Sequence, residues 1–132
     1  MTSGRFSFNE QQKKEMLTMG DTALLITEPD EFKRRVKLAA EKRGFEVHFG
    51  KVQYYDESKT DIRMLISGLG STWKYAFWKR DRYSYQQEAR FLFSPYKRGI
   101  DHIELEIGKI DDISRKLPVE SVFTLKAKEI DV

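Results

Sequence analysis

Glu88 and Arg90 stand two residues apart in Gln87-Glu-Ala-Arg-Phe-Leu-Phe93. The alternation of Ala89, Phe91 and Phe93 against Glu88, Arg90 and Leu92 predicts a strand that carries both charged side chains on one face. A strand-borne carboxylate beside a guanidinium can hold a ribose or a phosphate, and paired carboxylates can divide acid and base roles when their environments separate their pKa values. Ser94-Pro-Tyr-Lys-Arg-Gly99 is turn chemistry. Beyond it Ile103, Leu105 and Ile107 alternate with Glu104 and Glu106, which predicts an antiparallel hairpin with four charged side chains on one surface. Cross-strand ion pairing on a solvent face is the plainer reading of the same residues.

A second constellation lies just upstream. The chain of 132 residues has a formal net charge of only +3, yet residues 72–98 carry 7 basic against 2 acidic side chains. Residues 1–71 carry 12 and 11, and residues 101–132 carry 5 and 8. The basic block also holds Trp73, Tyr75, Phe77, Trp78, Tyr83, Tyr85, Phe91, Phe93 and Tyr96, which is 9 of the 17 aromatics. Cations neutralise phosphate and flat rings stack on bases, so Lys74, Trp78, Lys79, Arg80, Arg82, Tyr85, Lys97 and Arg98 are candidate binding residues for a nucleic acid or a nucleotide. The competing reading is structural: aromatics at helix and strand spacing form core, and the cations between them are solvated. The same holds for the basic helix face of Lys33, Arg34, Arg35, Lys37, Lys42 and Arg43.

Other chemistries are excluded or weak. Without cysteine there is no disulfide, thiolate zinc site, iron–sulfur cluster or cysteine nucleophile. His48 and His102 are far apart and form no metal-ligand motif, so neither a metal nor a cofactor is expected. No apolar run is long enough to span a bilayer and the first residues lack a signal-peptide pattern, which predicts a cytoplasmic protein with no membrane partner.

The elements that must position these residues read as α+β: one domain over 1–132, a mostly antiparallel sheet with three to five helices packed on it, and 1–19 a peripheral helix. Asn9 caps a helix through Met19, and Thr22 to Thr27 is a strand. Pro29 opens a helix to about Arg43, with Phe32, Val36, Ala39 and Ala40 on one face. Phe45, Val47 and Phe49 alternate, and the phase switches after Gly50 to Val52 and Tyr54, predicting a bulged strand. Residues 58–67 and 71–79 look helical. Ile110, Ile113 and Leu117 fit a short helix ending at Pro118, and Ser121 to Lys128 a closing strand with Phe123, Leu125 and Ala127 inward.

The segment Phe77-Trp-Lys-Arg-Asp-Arg-Tyr-Ser-Tyr-Gln-Gln-Glu-Ala-Arg-Phe-Leu-Phe93 resembles the hallmark of a widespread prokaryotic and phage domain family of unknown function. Lys79, Tyr85, Glu88 and Arg90 match its Lys...Tyr-x-x-Glu-x-Arg signature, and residues 20–36 and 50–55 resemble the strand, helix and Val-x-Tyr strand that precede it. Members carry a longer amino-terminal half with an Asn-Asp-Pro type motif and a Met-Trp segment, so 20–132 resembles the carboxy-terminal half alone. The resemblance implies a scaffold without the partner groups of a two-half site, and a role in phage and host conflict. The expected function is therefore a small phage- or mobile-element-type binding protein that engages a host protein or nucleic acid, with oligomeric state open and a homodimer among the options. The alternative is a nucleotide- or NAD-handling enzyme of ADP-ribosyltransferase-like type, with Glu88 and Arg90 as its catalytic residues. In a third reading Trp73, Phe77 and Trp78 form a protein-facing anchor patch.

Overall fold

A computed structural model describes residues 8–95 and 97–125, and the chain divides into two compact units, 1–44 with 99–132 and 45–98. The class is α+β. The strands are distributed over three two-stranded ribbons, two antiparallel and one parallel.

In the first unit, α1 (Glu10–Met19) begins at a reciprocal capping box. Asn9 Oδ1 accepts from the Gln12 amide, and Gln12 Oε1 accepts from the Asn9 amide. β1 (Thr22–Ile26) follows, then α2 (Pro29–Lys42), which has proline in its first turn with Asp30 and Glu31 beside it, where the helix dipole favours acids. Val36, Ala39 and Ala40 are its buried face, as their spacing predicts, with Phe32 half-buried.

The partner of β1 comes from the far end of the chain. Residues 114–118, predicted as the end of a helix, form the last strand, β6 (Ser114–Pro118), antiparallel to β1 from Thr22 opposite Pro118 to Ile26 opposite Ser114. The apolar spacing of Ile110, Ile113 and Leu117 suits a helix, but Ile113 is buried at a turn and Leu117 pairs with Ala23. Amide-to-carbonyl bonds from Thr27 to Ile113 and from Val119 to Asp21 extend the ladder at both ends. A short helix, α4 (Val119–Val122), replaces the start of the predicted closing strand, and its neighbour Phe123 meets Phe8 edge-on at 5.6 Å. Residues 123–125 form turns rather than a strand, and the rest of that predicted strand, 126–128, lies outside the described residues, as does Tyr96.

Residues 103–107 keep the predicted alternation, with 103, 105 and 107 half-buried and Glu104 and Glu106 exposed, but they form no strand. The predicted hairpin of 87–93 with 103–107 is absent, because the residues opposite the first of these segments come from earlier in the chain.

In the second unit β2 (Glu46–Lys51) pairs antiparallel with β5 (Ala89–Ser94), Glu46 opposite Ser94 and Lys51 opposite Ala89. The phase switch after Gly50 is a change of partner rather than a bulge. Buried Val52 donates its amide to the Glu88 carbonyl at 2.8 Å, and the chain continues as β3 (Gln53–Tyr55), parallel to β4 (Trp78–Arg80) in a different ribbon. The helix predicted from residue 58 is shorter: α3 (Ile62–Ser67) starts at its Asp61 cap, because Asp56 holds Ser58 in a turn. The second predicted helix ends early. A 3-10 helix over Thr72–Phe77 leads into β4, and another over Asp81–Gln86 leads to β5.

Candidate functional site

Three short elements bring Lys79, Glu88 and Arg90 together. β4 carries Lys79, opposite Tyr54 of β3. After the second 3-10 helix, Gln87 adopts the left-handed conformation (φ 46°), uncommon for a residue with a side chain, and redirects the chain so that Glu88 returns beside Lys79. The Glu88 amide donates to Tyr54 Oη at 3.0 Å, which fixes the backbone there. Arg90 lies two residues on, across β5 from Gly50.

Both carboxylate oxygens of Glu88 are engaged. Oε1 accepts from Arg90 Nε at 2.5 Å, and Oε2 accepts from Lys79 Nζ at 3.1 Å and Arg90 Nη2 at 3.3 Å. Arg90 Nη1 donates to the Ala76 carbonyl at 2.7 Å, and Lys79 donates to Gln86 Oε1 at 2.7 Å. All three side chains are one-quarter to one-third exposed. The Arg90 guanidinium, then Lys79, hold the Glu88 carboxyl below the usual carboxylate range against an opposing push from partial burial. A carboxylate so held has no proton to give near neutral pH and both its oxygens face cations of its own chain. What it does is join β4, β5 and the carbonyl end of the first 3-10 helix.

The four-charge surface expected for Glu88, Arg90, Glu104 and Glu106 does not form through strand pairing, since β5 pairs with β2. Glu104 instead lies 3.6 Å from His102, both exposed, and its carbonyl accepts from Arg43 Nη1 at 2.6 Å.

The candidate binding residues separate into inward and outward sets. Lys79 belongs to the ionic cluster. Tyr85 is half-buried and accepts from Gln86 at 3.2 Å, and Trp78 is half-buried with its indole N–H donated to Ser67 Oγ at 2.9 Å. Lys74, Arg80, Arg82, Lys97 and Arg98 are exposed. Lys74 stands 6.0 Å from the Trp73 ring and Lys97 4.5 Å from that of Phe45. Arg80 and Arg82 converge on one carboxylate, Glu57, at 3.7 and 3.1 Å. Tyr83 lies beside them, with Lys79 Nζ 4.7 Å and the Arg82 guanidinium 5.2 Å from its ring centre. Unit 45–98 as a whole carries ten basic and six acidic side chains, a net charge of +4, so the chain's excess positive charge resides there.

Of the three rings read as an anchor patch, Trp73 is exposed while Phe77 and Trp78 are half-buried. Trp73 stacks on His48 at 4.0 Å, and Phe77 covers Gly50, where a Cβ would come within 3.1 Å of the ring. His48 is thus a stacking partner on β2. Tyr54, Gln86 and Glu57 complete the site and were not among the candidate site residues. Only Tyr54 had a signal in the sequence, as a position of the strand that follows Gly50. Among the described residues no cluster of His, Asp and Glu could hold a metal ion, and no helix is long and apolar enough to cross a membrane.

No protein-family model, no curated protein and no solved structure matches this chain.

Proposed function

We propose that the protein is a small binding protein of phage or mobile-element type whose unit 45–98 engages the phosphate backbone of a host nucleic acid. The observation that carries this reading is the convergence of Arg80 and Arg82, each about half exposed, on the single carboxylate of Glu57. One anion cannot neutralise two guanidinia, so excess charge and free N–H donors remain on an exposed surface beside Tyr83, a chemistry suited to phosphate and stacked bases. Lys74, Lys97 and Arg98 add exposed cations to the same unit. The ribosyl-transfer alternative needs a carboxylate oxygen turned to a ligand, and Glu88 keeps both of its oxygens on Arg90 and Lys79.

The test is fluorescence anisotropy with labelled single-stranded and duplex oligonucleotides over a salt series. Binding weakens steeply with salt, and Arg80→Gln with Arg82→Gln lowers the logarithmic salt slope on single strands by about 1.4, roughly 0.7 for each phosphate that is no longer neutralised. Glu57→Gln tightens binding because it releases both guanidinia. Failure of the wild type to bind either oligonucleotide at low salt overturns the proposal.

A further inference from the structure

The α3 segment presents an apolar stripe to solvent. Ile62, Leu65, Ile66 and Leu69 are spaced three, one and three apart, so they share one side of the helix and its following turn. Their exposures are 67%, 47%, 59% and 74%, and α3 has no buried residue. Tyr75 continues the surface: it is 40% exposed, its ring occupies the space beside Gly68, and its hydroxyl donates to the Leu65 carbonyl at 3.1 Å. Trp73, two residues earlier on the same 3-10 helix, faces another side and stacks on His48 of β2.

We infer that this stripe is the interface with a second copy of the chain. Five large, substantially exposed apolar side chains present on the order of 500 Å², in the range of the largest patches on monomers, and with the polar rim around them they approach the roughly 800 Å² that each partner buries in a standard interface. The charge around the stripe selects the occupant. Within this basic unit, residues 56–75 carry three acids (Asp56, Glu57, Asp61) and three bases (Lys59, Arg63, Lys74), so the rim is balanced in sign. An anionic lipid surface or a nucleic acid calls for a cationic rim, which this one is not. A two-fold interface sets a surface against itself, and a rim of both signs allows that without like-charge repulsion. The shape agrees. In an antiparallel two-fold pairing of α3, Leu65 and Ile66 meet near the axis. Leu69 of the second copy then falls against Ile62, at the edge of a hollow of about 280 Å³ that Ile62 lines with Lys59 and Asp61. This interface stands independently of nucleic-acid binding, which uses Arg80 and Arg82.

The full chain tests it directly. Light scattering at about 100 μM gives twice the chain mass of 15.6 kDa for the wild type and one chain mass for Ile66→Glu with Leu69→Glu, with the melting temperature held because both sites are exposed. Should that variant melt early, Leu69→Ala weakens the dimer by about tenfold while keeping the apolar character of the site. The chain has no cysteine, so introduced thiols report geometry without background. Ile66→Cys alone oxidises to a disulfide dimer, Leu69→Cys alone does not, and an equimolar mixture of Ile62→Cys and Leu69→Cys does. A wild type that is monomeric at this concentration, a dimer indifferent to Ile66→Glu with Leu69→Glu, or a monomer that pellets with phosphatidylglycerol vesicles overturns the inference.

Discussion

The Lys79 ammonium stands 3.1 Å from the Glu88 carboxylate and ties the central residue of β4 to the residue just ahead of β5. Because β3 and β4 run parallel, no tight turn joins them, and the two 3-10 helices that flank β4 leave few backbone bonds to hold it. Glu88 supplies what the ribbon lacks. Its amide bonds Tyr54 of β3, its carbonyl receives the Val52 amide, and its carboxylate holds Lys79 of β4 and Arg90 of β5. Four segments therefore converge on one residue, which accounts for the Lys79, Glu88 and Arg90 signature without invoking catalysis.

Removing that charge has an asymmetric cost. Glu88→Gln leaves two cations partly buried without their counter-ion, and destabilises the protein by about 2 kcal/mol. Lys79→Met costs less, since Arg90 still compensates Glu88. The double variant Lys79→Met with Glu88→Gln costs less than the sum of its single changes, because Lys79 is then no longer stranded and only Arg90 is left without its counter-ion. Urea unfolding of the four proteins measures this, and strict additivity would refute the latch.

A different cluster contributes to stability in acid. Arg35 of α2 donates to the Lys109 carbonyl at 3.0 Å and to both Asp112 oxygens at 3.1 and 2.6 Å, while Glu31 accepts from Arg34 and Arg35. Arg34, then Arg35, lower the Glu31 carboxyl from its ordinary 4.5 to about 2, and Arg35 holds the Asp112 carboxyl below the usual carboxylate range. The unfolded chain thus takes up a proton at Glu31 near pH 4.5, whereas the folded chain resists until about pH 2. The resulting stability is present above pH 4.5 and lost as pH falls through the interval to about 2. Glu31→Gln removes this contribution, so its urea midpoint changes less than that of the wild type across that interval. Parallel curves would show that Glu31 plays no such role. Glu31 and Arg35 are half-buried, but their partners Arg34 and Asp112 are open to solvent, so added salt shrinks the difference.

The first 44 residues were legible because their signals are local: a capping residue at Asn9, a short apolar run at 22–27, and a proline with acids at the start of α2. Their pairing was not, since the partner of β1 lies about ninety residues away and its apolar spacing at 110–117 also fits a helix. The same limit explains the missing hairpin. Alternation at 87–93 and 103–107 identifies faces, but nothing in either segment says that Phe49, rather than a residue beyond the turn, sits opposite Phe91. At the site, the sequence named Lys79, Glu88 and Arg90, marked Tyr54 only as a strand position and missed Gln86; the roles of both depend on a left-handed residue at Gln87, where glycine would be the expected signal.

Gly68 and Gly70 both follow α3, and different constraints hold each as glycine. A Cβ at Gly68 would lie 1.8 Å from Cζ of Tyr75, a rigid ring, although Gly68 has an ordinary negative φ. Gly70 has open space around it but holds φ at +86°. Gly68→Ala must displace Tyr75 and break its bond to the Leu65 carbonyl, costing about 2 to 3 kcal/mol, a change that at an open site of the same φ would be stabilising. Gly70→Ala costs about 1 kcal/mol, from backbone strain alone. A third variant distinguishes the causes: in a Tyr75→Ala background, Gly68→Ala loses most of its cost and Gly70→Ala keeps all of it, since only the first depends on the ring. Denaturant melts of these variants and both double variants provide the measurement. If Gly68→Ala remained as costly without Tyr75, the ring would not be what the glycine accommodates.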